Sequence, residues 1–280
     1  MERTLDKHEN FCIIRTMKQI TSNTIVADRD VLERFLNVMP ELERDEVYFL
    51  SLSARNKYLT EEEREEFDLG RTEMFSRQIA YDREGILMAI ARMEADLSVR
   101  RTRNGKEIPH KCLVVYINIH PSSTIKAYTD FTKQMNHHFS ETFMAVANGK
   151  NANYEPFQRC RTHLMNHIQR SSSRKNFIDI DIDCKNENNL EKARSHVHCG
   201  LINSHISHHI VKTQGGYHVL VDKVKMKEEH NNFPLYKLVE KANETVGDDG
   251  EAVFNKNAMV PLPGTYQAGK TVTLKSFKWS

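Results

Sequence analysis

Apolar residues along this chain follow two rhythms. From Asp28 to Glu43, Val31, Phe35 and Val38 recur every three or four residues behind a capping aspartate, which predicts a helix. Val47 to Leu52 reads as a strand that runs into the polar exit Ala54-Arg55-Asn56-Lys57-Tyr58. Thr60 opens the run TEEEREEF, whose hydroxyl cap and acidic first turn suit a helix N-terminus, and Ile86 to Leu97 reads as an amphipathic helix. Cys112 to His120, CLVVYINIH, is β-branched and apolar and predicts a buried strand. Helices are expected from Thr124 to Ala147 and from Tyr154 to Gln169, then a strand from Asn176 to Asp183 and a helix from Leu190 to Ile202. His208 to Thr213 and Tyr217 to Asp222 read as a strand pair around Gln214-Gly215-Gly216, and Phe233 to Val246 as a helix. Strands separated by helices predict a mixed α+β or α/β chain rather than a bundle or a sandwich.

The length of 280 residues allows one large domain with a sizeable core. The expected division is a helical N-terminal extension over 1–45 and a main domain over 46–280. No uncharged apolar stretch approaches the roughly 20 residues that cross a bilayer, so no membrane contact is expected. The opening MERTLDKHEN has no apolar segment of the secretory kind, which points to the cytoplasm. Forty basic and 38 acidic residues leave a formal charge of +2, so nucleic-acid contact must rest on local clusters. Five cysteines without a CxxC pair fit reduced thiols rather than a disulfide framework.

The strongest chemical signal is Asn176-Phe-Ile-Asp-Ile-Asp-Ile-Asp183. In a strand, Ile178, Ile180 and Ile182 turn to one side while Asp179, Asp181 and Asp183 line the other. Neighbouring carboxylates then lie about 6.6 Å apart along the strand and repel by roughly 2.5 kcal/mol at an effective dielectric near 20. A divalent cation such as Mg²⁺ or Mn²⁺ would offset that repulsion. A solvated strand face, or a calcium site without catalysis, is the plainer reading. His218 follows Asp181 by 37 residues, in Thr213-Gln214-Gly215-Gly216-Tyr217-His218. Paired glycines permit positive φ or a close backbone approach to a ligand, and the exposed amides of such a turn can hold an anion. A third stretch, Val260-Pro-Leu-Pro-Gly-Thr-Tyr-Gln-Ala-Gly269, reads as an irregular loop with hydrogen-bonding groups at Thr265 and Gln267.

In order and spacing these three stretches resemble the catalytic core of the archaeo-eukaryotic primase superfamily, including the primase-polymerases of phages and plasmids. That family carries an hDhD strand, then a [S/T]xxGxH-like element, then an acidic position before a PGT-containing loop. Here IDIDID (178–183), TQGGYH (213–218) and PLPGT (261–265) match, over roughly residues 110–270. The resemblance implies an RRM-like catalytic sheet flanked by helices, two divalent ions, and templated nucleotidyl transfer from NTPs or dNTPs on single-stranded DNA or RNA. It places metal on Asp181 with Asp179 or Asp183, and the nucleotide's phosphates on His218 with Thr213, Gly215, Gly216, Thr265 and Gln267. Two positions depart from the pattern. Asn255 and Asn257 stand where the third acid is expected, with Asp248 and Asp249 further off, and Pro261 replaces the arginine before LPGT. An asparagine brings no charge, so a second metal would be held more weakly.

Basic clusters at Arg55 and Lys57, at Arg100, Arg101, Arg103 and Lys106, and at Arg174 and Lys175 offer sequence-independent phosphate contacts; each alone reads as a solvated charged turn. His120 and Asn118 stand at the polar end of their strand, where they would border the site. Cys160, His163 and His167 share a helical face and fit packing better than zinc ligation. His196-Val-His198 imitates the HxH pair of rolling-circle replication endonucleases but sits in a helical run, which argues against that chemistry. The alternatives are thus a catalytically degenerate primase-like protein that binds nucleotide or nucleic acid, that endonuclease, and a calcium-stabilised structural domain. No GxxxxGK[ST] helicase motif is present, so unwinding would fall to a separate helicase chain.

Overall fold

The computed structural model describes residues 24–230, 232–256 and 259–278. It begins with helix α1 (Arg29–Val38), strand β1 (Glu46–Arg55), helix α2 (Glu61–Phe67), strand β2 (Thr72–Ala80) and helix α3 (Arg83–Val99). Strand β3 (Leu113–Asn118), the short strand β4 (Ser122–Ser123) and helices α4 (Thr124–Ala147), α5 (Glu155–Gln158) and α6 (Cys160–Arg170) follow. Next come strand β5 (Phe177–Cys184), helix α7 (Glu187–Asn203), and the hairpin of β6 (His208–Lys212) and β7 (Gly216–Asp222). Helices α8 (Lys223–Glu229) and α9 (Leu235–Val246) precede β8 (Gly250–Phe254), β9 (Met259–Pro261), β10 (Tyr266–Gln267), β11 (Lys270–Thr271) and β12 (Thr273–Phe277).

Two antiparallel sheets and their helices make this an α+β protein. The first sheet runs β11-β10-β3-β1-β2, with β4 on β1 and β9 on β3. The second runs β12-β6-β7-β5-β8. Within it, β5-α7-β6-β7-α9-β8 is a βαββαβ unit whose strands lie side by side in the order second, third, first, fourth, the RRM-like arrangement. Strand β12 extends this sheet beyond β6.

The alternation of β5 and β7 decides what each face of the second sheet meets. Ile180, Ile182, Val219 and Val221 pack on Leu190, Ala193 and Val197 of α7 and on Val239 and Ala242 of α9. Phe177, Val211, Leu220 and Leu274 turn the other way and join a larger core with Leu32, Phe35 and Leu36 of α1 and with the first sheet. Strand β1 is buried on both faces. Tyr48, Leu50 and Leu52 lie with Ile86, Ile90 and Met93 of α3, while Val47 and Phe49 meet Ala127 of α4 and Ile168 of α6.

Several elements escape the sequence rhythm. Strand β2 is the sheet's edge and half-exposed, so Glu73, Arg77 and Gln78 mask its alternation. The expected helix over 154–169 breaks at Arg159, whose φ of −106° and ψ of 19° leave helical geometry. Helix α1 stops at Val38 because Met39 is extended, as a residue before proline tends to be. The described part of the 1–45 segment packs into the main core rather than apart from it. The amides of Ala27 and Asp28 donate to the Gly264 carbonyl at 2.8 and 2.9 Å, and Val26 bridges to Thr265. The four cysteines within the described residues are free thiols. No helix among those residues is long and apolar enough to cross a membrane.

Gly264 makes that docking possible. Its φ is +84°, and a Cβ there would lie 2.6 Å from the Leu32 nitrogen. Gly264→Ala is therefore expected to destabilise the protein by about 2 kcal/mol or more through backbone strain and overpacking. Urea unfolding measures this, and an unchanged midpoint would refute the docking argument.

Candidate functional site

On β5 the three aspartates do share one face, but they meet very different surroundings. Asp179 is buried, with its side chain 1% exposed, Asp181 is 29% exposed at the side chain, and Asp183 is exposed. Directly across from Asp181 on the neighbouring strand stands His218, and on the other side Val253 of β8. The His218 ring leans toward Asp179: its Nδ1 lies 3.1 and 3.2 Å from the two carboxylate oxygens, and 3.7 Å from Oδ1 of Asp181. Asn255, just past β8, donates its side-chain amide to Asp179 Oδ2 at 2.7 Å and its backbone N–H to the Asp179 carbonyl at 2.9 Å.

Charge follows from this packing. Burial alone would lower the His218 pKa, but the carboxylates of Asp179, Asp181 and Asp183 outweigh it and hold the ring up at about 9. At neutral pH His218 is an imidazolium donating to Asp179. Burial raises Asp181 first of all; Asp183 and Asp179 add to this against the pull of His218, and its pKa stands at about 6.

The exit of β1 and the middle of β3 face this row. Arg55 donates from Nη1 to the Tyr116 hydroxyl at 2.7 Å, and its Nε is buried without a partner. Partial burial and the neighbouring Arg55 lower the Lys57 pKa, against the opposing pull of Asp183 and Asp181. Tyr58 is pushed up to about 12, chiefly by burial, with Asp183 contributing. Gln267 joins this wall to the glycine turn: its Nε2 donates to the Tyr58 hydroxyl at 2.8 Å, and its Oε1 accepts the Gln214 N–H at 3.0 Å. His120 is buried at the other end, neutral with a pKa near 4, mainly through desolvation and with Lys175 assisting, while Asp179 opposes. Its backbone N–H donates to buried Asn118.

The turn Thr213-Gln214-Gly215-Gly216 is closed by its own groups. The Thr213 hydroxyl donates to the Gly216 carbonyl and accepts the Gly216 N–H, each at 3.1 Å. Neither glycine has positive φ. Gly216 is needed because a Cβ would overlap the Ile182 carbonyl and approach Asp183 Oδ1 to 2.6 Å, so it is β5, not a ligand, that demands the close approach.

Other expected site residues are engaged elsewhere. The Thr265 hydroxyl is wholly buried and donates to the Leu262 carbonyl, inside the proline-glycine turn. Arg174 grips Glu46 at 2.9 Å and Glu43 at 3.2 Å, fastening the approach to β5 onto the start of β1. Arg101, Arg103 and Lys106 pair with Glu107, Glu73 and Glu66, while Arg100 and Lys175 are exposed. His163 and His167 approach the side chain of Gln134, and His196 and His198 lie on α7 against Thr245 and His208, as a helical reading requires. Among the described residues no three His, Cys, Asp or Glu side chains converge as a ready metal cluster. Asn257 lies outside the described residues. Tyr58 and Tyr116 were not singled out from sequence, although Tyr116 is the odd polar residue within an apolar strand.

No family model, curated protein or solved structure matches the chain.

Two outcomes follow for the buried pair. Asp179→Ala strands an imidazolium in the interior and should cost about 3 kcal/mol or more of stability in denaturant unfolding. The His218 pKa is higher in the folded chain than its ordinary 6.5, so its contribution is complete below pH 6.5 and disappears as pH rises through 9. Thermal melts from pH 6 to 10 should show this decline, and His218→Gln should flatten it. A wild-type curve parallel to that variant would disprove the ion pair.

Proposed function

We propose that the chain is a metal-dependent nucleotidyltransferase of the primase-polymerase kind, making or extending primers on single-stranded template from NTPs or dNTPs. The observation that carries this reading is the solvent-reaching end of the aspartate row on the RRM-like sheet, where Asp181 and Asp183 stand beside an imidazolium and face Arg55 and Lys57. An anionic, polyphosphate-bearing substrate would meet cations on either side of this row of carboxylates.

The residues present fit a divalent ion. Asp181 and Asp183 share a face, both have solvent access, and burial with like charge raises the pKa of Asp181, the state a cation relieves. Magnesium or manganese, when bound, would neutralise charge on the transferred phosphoryl group and acidify the attacking hydroxyl. The chain's own groups would supply positioning. His218, fixed by Asp179, presents a positive charge beside Asp181 at neutral pH. Arg55, held against Tyr116, and Lys57 would bind phosphates from the opposite wall. Gln267 would hold the glycine turn in register with that wall. A replicative role of this kind fits the cytoplasm and a separate helicase partner.

Asn255, donating to Asp179 where the family expects an acid, favours a second reading, in which the site binds nucleotide without polymerising it. Purified protein with Mg²⁺ or Mn²⁺, single-stranded template and labelled nucleotides should yield oligonucleotides. Asp181→Ala should abolish them, and Arg55→Ala should raise the nucleotide KM by about tenfold, the worth of one charge-assisted contact. Tight nucleotide binding with no product under either metal would establish the binding-only reading instead.

A further inference from the structure

The fold does not treat the three aspartates of β5 alike. Both oxygens of Asp179 lie within hydrogen-bonding reach of the His218 ring, and Oδ2 also takes the Asn255 amide at 2.7 Å. Asn255 is tied to the same residue a second time, through its backbone N–H to the Asp179 carbonyl. The Asp179 side chain is 1% exposed, so a metal could reach it only by displacing one of these donors and opening the interior. Asp181 is 29% exposed at the side chain, with the His218 ring 3.7 Å from Oδ1, and Asp183 is exposed, so both can be reached from solvent. The residue at 255 decides between two arrangements: an acid there would face Asp179 as a second carboxylate and call for a cation between them, whereas the amide supplies the hydrogen itself.

We infer that His218 and Asn255 withdraw Asp179 from metal coordination, leaving Asp181 and Asp183 as a one-ion site whose shell only a nucleotide's phosphates complete. This rests on the nucleotide-transfer reading above. Magnesium and manganese prefer six oxygens, and two carboxylates provide too few to hold the ion alone against its hydration. Metal and nucleotide therefore enter as a unit. Asp179 is a positioning residue: it orients the His218 ring and, through Asn255, fixes the end of β8 to β5.

The test uses the full chain and reads how far Mn²⁺, compared with EDTA, tightens binding of a fluorescent ATP analogue. Wild type should gain about tenfold or more, Asp181→Asn and Asp183→Asn should lose that gain, and Asp179→Asn should keep it within about threefold. Loss of the gain in a folded Asp179→Asn protein, checked by circular dichroism, would overturn the inference and leave nucleotide binding standing. Because that variant strains the interior, Asn255→Asp gives a second arm. Bound Mn²⁺, counted from the paramagnetic resonance signal of the free ion, should rise from one per nucleotide-bound wild-type chain to two in Asn255→Asp. Two ions on wild type would overturn the inference. Wild type that binds no nucleotide at all would remove the proposed function, and this inference with it.

Discussion

A charged imidazole buried against a carboxylate holds together the sheet face that carries the row of aspartates. His218 and Asp179 come from adjacent strands, and neither charge tolerates the interior without the other. Because Asp179 pairs with Leu220 in the strand register and His218 with Asp181, the contact is diagonal, and it locks the register of β5 on β7. A slip by one residue would put the carboxylates into the core with α7 and α9. The ion pair thus adds to the register preference that isoleucine and valine packing already sets.

The same pair grades the row. Asp179 is enclosed, Asp181 is strained by burial and like charge, and Asp183 is open to solvent, so three identical side chains have three chemistries. The opposite wall is assembled from distant segments. Arg55 and Lys57 come from the exit of β1, Tyr116 from β3, and Gln267 reaches from β10 to both Tyr58 and the β6–β7 turn. The facing of this wall and the aspartate row depends on the two sheets being fixed to each other. Helix α1 serves that purpose, burying Leu32, Phe35 and Leu36 among residues of both, with Gly264 admitting its N-terminal end. Arg174 adds a polar tie from the lead-in of β5 to Glu46.

Local pattern was a good guide wherever an element is long enough for its period, or its cap, to register. Strands β3 and β5, helices α4 and α7, and the capped start of α2 follow from spacing and cap chemistry. Thr60 and Glu63 form the reciprocal capping box that TEEEREEF suggests. The short strands from β8 to β12 have two to five residues each, too few for a period to register, and they form because other strands of their sheet offer them partners. Strand β2 is hidden for the opposite reason: an edge needs little burial, so its composition stays polar.

For the site, the sequence by itself determined which residues could share a face: alternation in β5 puts three carboxylates together whatever surrounds them, and parity in β7 puts His218 opposite Tyr217 and Val219. Only the tertiary structure decided which of those carboxylates is free. Enclosure of Asp179 requires Asn255, 76 positions away, and the facing cations require a second sheet. Side-chain direction is a local property of backbone geometry, whereas desolvation and charge pairing are sums over everything nearby in space, and those neighbours come from parts of the chain that no local pattern connects.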